Sequence, residues 1–251
     1  MNQLTETKNQ LTETREAFEN PDWYLRSRGF NIRIRTDIVR SFAQNLECKR
    51  VLDIGCGDGS ISLPLLTQHN RLTLLDLSST MLSIARSRVS EKLVDRVDTV
   101  NKSFMEVKLE PESYDLILCL GVLAYVEDLP AFCSKLVSLL APGGLLIVEC
   151  TDSSHFIYYL TSSYVKLRGL VMRPRVPLCL RSAAVVENMF WKLGLRRQAS
   201  YKYALPLPVI RKCFSQAFQY RTTRSLFGSP LSNRNSWLGN ECIYSFRKGS
   251  L

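Results

Sequence analysis

Short apolar runs recur along the first 150 residues, and strands are expected near 50–54, 71–76, 96–101, 114–120 and 145–150. Between them, 59–68, 78–90 and 128–140 carry apolar residues at helical spacing. Short apolar strands alternating with amphipathic helices predict a parallel sheet with helices on both faces, because such strands must be covered on each side. Ser78 and Ser79 stand where the helix through Met81, Leu82 and Ile84 needs a cap. Upstream, 23–46 reads as a helix, with Ile32, Ile34, Ile38, Val39 and Phe42 on one side and Arg26, Arg28, Arg33, Arg35 and Arg40 on the other. Before it, 2–15 holds a near-exact seven-residue duplication that reads as a polar arm, closed by Asn20-Pro21-Asp22. Downstream, Asp152-Ser153-Ser154 is placed to cap a helix through Phe156, Leu160, Tyr164, Leu167 and Leu170, and Pro174 and Pro177 exclude regular helix beyond it. Residues 182–193 are helical again, with Gly194 as a stop, and 198–204 and 241–247 read as the last two strands. Between these strands, 205–240 reads as irregular.

The first strand carries the chemistry. Val51-Leu52-Asp53-Ile54-Gly55-Cys56-Gly57-Asp58-Gly59-Ser60 is an apolar run that ends in three glycines at alternate positions. Without Cβ atoms such a turn can be tight, and a ligand can lie against bare backbone. A phosphate-binding loop spaces its glycines G-x-G-x-x-G. Here the spacing is G-x-G-x-G, and Asp53 and Asp58 would repel a pyrophosphate. They suit a ligand with an amine and a sulfonium. Asp76, at the end of the next apolar run, can accept both hydroxyls of a ribose. Ligands of open parallel sheets lie beyond the carboxyl ends of the strands where strand order reverses, and Asp53, Asp76, Ser103 and Leu120 all fall at such ends.

This stretch resembles the S-adenosylmethionine (SAM) signature of class I methyltransferases, and the resemblance extends over roughly 50–150. Lys102-Ser103-Phe104 stands where the family lines the adenine, with Ser103 in place of the usual Asp. Tyr114-Asp115 opens the fourth strand, Gly121-Val122-Leu123 follows it, and Leu140-Ala141-Pro142-Gly143-Gly144 stands as the turn before the fifth. The resemblance implies a Rossmann-like, doubly wound, mostly parallel seven-stranded sheet ending in an antiparallel pair, with SAM as cofactor and S-adenosylhomocysteine (SAH) as product. It implies cofactor contacts at Asp53, Gly55, Cys56, Gly57, Asp76, Leu77, Met81, Ser103, Phe104 and Leu120. By analogy, 23–46 would be a lid over the cofactor and 154–182 a variable cap on the substrate side. The expected organisation is a polar arm at 1–22 and one methyltransferase domain at 23–251, with 50–150 as its SAM-binding core.

Composition narrows the substrate. No run reaches the ~18 apolar residues of a membrane span, and the first twenty residues are polar, so no secretory leader is expected. The eight cysteines are scattered with no C-x-x-C, as expected of reduced packing residues in a cytoplasmic protein, and no metal site is expected. Residues 151–251 hold 16 Lys and Arg against 3 Asp and Glu, whereas the first 150 hold 17 against 20. That bias favours anionic partners: an anionic or amphiphilic small molecule, or an acidic membrane surface. The motifs of base-amino and RNA-cytosine methylases are absent, which lowers nucleic acid as a substrate. The expectation is therefore methyl transfer to an oxygen, or secondly a nitrogen, of a small specialised metabolite. An RNA methyltransferase using the basic half, or a non-catalytic module of the same fold, are the alternatives. A hydroxyl acceptor profits from a base, and His155, Tyr24 and Asp152 are the candidates.

Overall fold

The computed structural model describes residues 21–156, 178–204 and 214–249, with 12, 13, 16 and 19. Most of the duplicated arm, residues 157–177 of the expected cap and 205–213 lie outside these, as do the side chains of 21–28, Tyr24 among them.

Helix α1 (Pro21–Ala43) leads into β1 (Arg50–Ile54), β2 (Arg71–Leu75), α2 (Ser79–Ser87), β3 (Val97–Val100) and β4 (Tyr114–Cys119). Then follow α3 (Leu129–Leu139), β5 (Leu140–Thr151), α4 (Ala183–Lys192), β6 (Leu195–Tyr203), α5 (Gln216–Phe227), the hairpin strands β7 (Gly228–Ser229) and β8 (Ser232–Asn233), and β9 (Glu241–Lys248). Seven strands form one sheet in the order β3-β2-β1-β4-β5-β9-β6. β1 to β5 are parallel, and β9 is antiparallel to both β5 and β6. This is the expected doubly wound sheet.

Two apolar cores flank it. On one face, Phe132, Leu136, Val186 and Phe190 of α3 and α4 pack with Leu52, Ile117 and Leu146. On the other, Ile34 and Ile38 of α1, Leu82 and Ala85 of α2 and Phe227 of α5 pack with Val51, Leu118 and Ile147. Ile34, Ile38 and Val39 are fully buried, and each such side chain contributes about 1.5–3 kcal/mol. α1 is also held from outside by α5. The Tyr220 hydroxyl donates to Asp37 Oδ2 at 2.6 Å, and the Phe30 amide donates to Gln216 Oε1 at 2.8 Å.

Four expectations need correction. No α-helix forms over 59–68; turns lead into a 3-10 turn at Leu63–Leu65. Pro64 sits inside that stretch, where its ring would meet the carbonyl four residues back and disfavours helical Leu63. The turn expected over 140–144 is a bulge inside β5: Tyr114 pairs with Leu140, but Leu116 pairs with Leu145. Pro142 has no amide proton for the ladder there. Part of 205–240 is helical: α5 is capped by the Ser215 hydroxyl, which accepts from Phe218 N, and ends at Gly228 with φ 77°. Its only buried residue is Phe227, so no apolar stripe announced it. Finally, Arg35 does not share the solvated side of α1; it is buried.

Candidate functional site

The strand order reverses between β1 and β4, and the turns that leave these two strands meet above that crevice. A Cβ on Gly55 would come within 2.4 Å of Val122 Cγ2, so the close approach of the two turns requires glycine. Gly57 differs. Its φ is 54°, and nothing lies within 4 Å of the place a Cβ would take, so its bare backbone faces open space. The loop is tied to β2: the Gly55 amide donates to the Leu75 carbonyl at 2.8 Å, and the Gly57 amide to Asp76 Oδ2 at 2.8 Å. Asp76 Oδ1 accepts from the Ser78 amide at 2.9 Å. Burial raises the Asp76 carboxyl from its ordinary value, and these amides oppose the rise.

Asp53 and Asp58 have different surroundings. Asp58 is committed. Its carboxylate accepts from the Ser60 hydroxyl at 2.8 Å and is paired with Arg88 at the end of α2, which also donates to the Asp58 carbonyl. Asp53 is buried, and its Oδ2 has no hydrogen-bond partner. Burial, together with the Asp76 and Asp58 carboxylates, pushes its pKa up to about 7, and the nearby hydroxyl of Ser62 opposes the rise. A cleft opens between this loop and α1, with Ile32 and Arg35 on the helix side and Asp53, Gly55, Cys56, Gly57 and Leu120 opposite.

Sequence reasoning missed the group that holds α1 in place. Arg35 Nε donates to Glu149 Oε1 at 3.0 Å, its Nη2 pairs with Oε2 at 2.5 Å, and the Tyr203 hydroxyl donates to Oε1 at 2.7 Å. All three residues are buried. The available signal was Glu149, a charge inside an apolar strand, which needs a buried partner. Asn31, Arg35 and Val39 form a second buried row on α1, at four-residue spacing beside Ile34 and Ile38.

Past β3, Ser103 and Phe104 are buried. Phe104 packs edge-on against Phe132 with centroids 4.8 Å apart. Lys135 Nζ donates to the carbonyls of Phe104, Met105 and Val107 at 2.6, 3.1 and 2.7 Å, which pins this turn to α3. Met81 is buried in the first turn of α2, capped by Ser78, and Leu77 directly follows Asp76.

Of the candidate bases, His155 and Asp152 are not among the cleft-lining residues; the Tyr24 side chain is outside the described residues. His155 is buried with Nε2 at 2.9 Å from the Trp237 carbonyl, so Nε2 carries the proton. Asp152 Oδ1 accepts from the Ser154 amide and hydroxyl and from the Ala183 amide. Burial pushes its carboxyl up, but these donors outweigh it and hold the pKa below the ordinary value. Asp152 thus joins the end of β5 to the start of α4.

A family model described as a methyltransferase domain matches residues 51–144. Ubiquinone biosynthesis O-methyltransferase of Rickettsia felis is 26% identical over 156 residues, covering 58% of this chain and 63% of that protein. Its counterpart in Methylobacterium nodulans is 32% identical over 118 residues, covering 45% and 47%. The match thus spans less than two thirds of either relative. Magnesium protoporphyrin IX methyltransferase from Synechocystis, solved with bound SAH, superposes with a TM-score of 0.64 at 18% identity, covering 96% of this chain and all of that one. The N-methyltransferase NodS from Bradyrhizobium japonicum, also with SAH, gives 0.60 at 18% identity over 94% and 98%. These likenesses show the fold.

Proposed function

Since the chain carries a class I SAM-dependent methyltransferase domain, we propose that it moves a methyl group from SAM to an oxygen of a small metabolite. The observation that carries this reading is Asp53 Oδ2, a buried acceptor without a partner beside the open backbone of Gly57. That pair fits a cationic ligand and repels a pyrophosphate. Gly55, Cys56 and Gly57 would receive the amino-acid end against bare backbone, with the guanidinium of Arg35 in the cleft wall for a carboxylate. Asp76 accepts two backbone amides, and a carboxylate has about four lone-pair sites, so capacity remains for ribose hydroxyls. Leu77 and Met81 would border the ribose, Ser103 and Phe104 the adenine side, and Leu120 the sulfur end.

When bound, SAM supplies a methyl already activated on a sulfonium. The chain's own task is alignment of an acceptor and exclusion of water. α1 covers the cleft with Ile32, as a lid within 23–46, and residues 154–182 would cap the substrate side. Oxygen ranks above nitrogen because the relatives matched in sequence are named O-methyltransferases; a specialised metabolite is the proposed acceptor. Of the three candidate bases, His155 is favoured. It lies just past the end of β5, and its Nε2–H is directed to the Trp237 carbonyl, which fixes the ring. Asp152 is held too acidic for the task, and Tyr24 on α1 is the remaining candidate.

Titration calorimetry tests the reading. SAM and SAH should bind the folded protein, and NAD should not. Failure of both to bind would overturn it.

A further inference from the structure

Large apolar side chains stand exposed around the mouth of the cleft. Phe156, Leu178, Phe214, Phe218 and Trp237 are each 45% to 66% exposed. Phe156 stacks on Trp237 with centroids 6.0 Å apart, and Phe214 on Phe218 at 4.6 Å. Hydrogen bonds beside them tie their segments to the cleft side of the fold. The Trp237 carbonyl is bonded to His155, just past the end of β5. Cys179, next to Leu178, donates its amide to the Ala124 carbonyl, just past the end of β4. Gln216, between Phe214 and Phe218, accepts from Phe30, two residues before Ile32 of the cleft wall. The five residues therefore sit on segments joined to the carboxyl edge of the parallel strands or to α1 beside the cleft.

The same part of the chain is almost free of acid. From 153 to 240 it holds 14 Lys and Arg against one carboxylate, Glu187. Glu187 lies on α4 and is itself paired with Arg197. Arg221 is exposed three residues after Phe218, on the same side of α5. Single exposed apolar residues are ordinary, but stacked aromatic pairs with an exposed arginine on the same helix side, in a basic part of the chain, suit a surface that meets anionic lipid.

We propose that this rim docks on the surface of an anionic lipid bilayer. The aromatic pairs and Leu178 enter the headgroup layer, and Arg221 meets the phosphates. A nucleic acid would also answer the charge, but it calls for ring faces open to bases. Here each aromatic pair is stacked on itself, and Leu178 offers only aliphatic bulk. Docking stands independently of the methyl-transfer reading; only its use, delivery of a lipid-dissolved acceptor to the cleft, rests on that reading.

The full chain is sedimented with vesicles of phosphatidylcholine alone or mixed with phosphatidylglycerol. Binding is expected to the mixed vesicles and to weaken with salt. Arg221→Glu should reduce it about fivefold or more, the factor for the loss of one basic residue near such a surface. Phe218→Ser with Trp237→Ser should reduce it about tenfold or more, as withdrawal of buried aromatic area implies. Arg221→Glu alters an exposed side chain and should keep the parent's urea midpoint; the aromatic variant loses two stacked pairs and some stability, but both should bind SAM as the parent does. Lipid binding lost with SAM binding intact supports the proposal. No preference for phosphatidylglycerol, variants that bind as the parent does, or binding of single-stranded RNA in place of vesicles overturns it.

Discussion

Glu149→Ala is the sharpest perturbation the structure offers. It removes the shared acceptor of Arg35 and Tyr203, all three buried. Breaking a buried ion pair by deleting one partner costs about 3–5 kcal/mol, since the other charge stays uncompensated. The Tyr203 hydroxyl loses its acceptor as well, at about 1–3 kcal/mol. The two losses share one site and do not add in full, so about 4 kcal/mol is expected, a large share of a usual total of about 5–15. Glu149→Gln keeps an acceptor for Tyr203 and for one guanidinium N–H, and about 2 kcal/mol is expected. Arg35→Met strands Glu149 instead. The double variant Arg35→Met/Glu149→Met replaces the pair by apolar bulk and should recover most of either single loss. Urea unfolding of the parent, Arg35→Met, Glu149→Met and the double variant closes the cycle, with m-values checked for constancy. An interaction energy within about 0.5 kcal/mol of zero, the scatter of independent sites, would refute the idea that this ion pair fixes α1 to the sheet.

Asp76→Ala should weaken SAM binding by about 1–3 kcal/mol, and unchanged affinity in a folded variant contradicts the ribose role. Asp53 titrates near 7 in the fold against about 3.9 unfolded. Between those values the native state holds more protons, so stability present below about pH 4 is lost as pH rises through about 7. Asp53→Asn should flatten that slope in urea unfolding. The parent should also release protons on binding SAM near neutrality, read by calorimetry in buffers of different ionisation enthalpy; no buffer dependence would count against Asp53 as the cationic ligand's partner. Gly57→Ala faces open space and should cost only about 1 kcal/mol of stability while cutting SAM affinity tenfold or more, whereas Gly55→Ala meets Val122 and should lose stability first; equal thermal midpoints for the two would refute the contrast.

The sheet was legible because β1, β2, β4 and β5 are buried on both faces, so their apolar runs are continuous. β6 is an edge strand, and after the buried Leu195 its next residues, Arg196, Arg197 and Gln198, are exposed; the pattern therefore placed its start three residues late. α5 was illegible for a related reason: it buries one residue and is held by polar contacts at Gln216 and Tyr220. Asp53, Asp76 and the glycines could be assigned to one site because strand ends converge whatever the packing. Arg35 and Glu149 lie 114 residues apart, and no local period connects a helix position to a strand position across that distance. Arg88 and Lys135 were missed in the same way, each being a helix cation that ties down a loop distant in sequence.

The charges around the cleft explain why a glycine-rich loop at a strand-order switch need not hold a phosphate. Four carboxylates surround it: Asp53, Asp58, Asp76 and Glu149. Arg88 answers Asp58, and Arg35 answers Glu149. Asp76 is stabilised by the amides of Gly57 and Ser78, the same kind of N–H groups that a phosphate loop turns toward its anion. The amide of the open glycine is thus spent on an internal carboxylate, and Asp53, whose buried Oδ2 lacks a hydrogen bond, leaves the loop acidic. A pyrophosphate would lose that donor and meet Asp53 at close range. A sulfonium with an α-amine meets an unanswered acceptor instead, and in a buried setting the difference between these two encounters is worth several kcal/mol. Selection of a cationic cofactor over a dinucleotide therefore follows from which loop amide is already taken, and not from the glycine spacing alone.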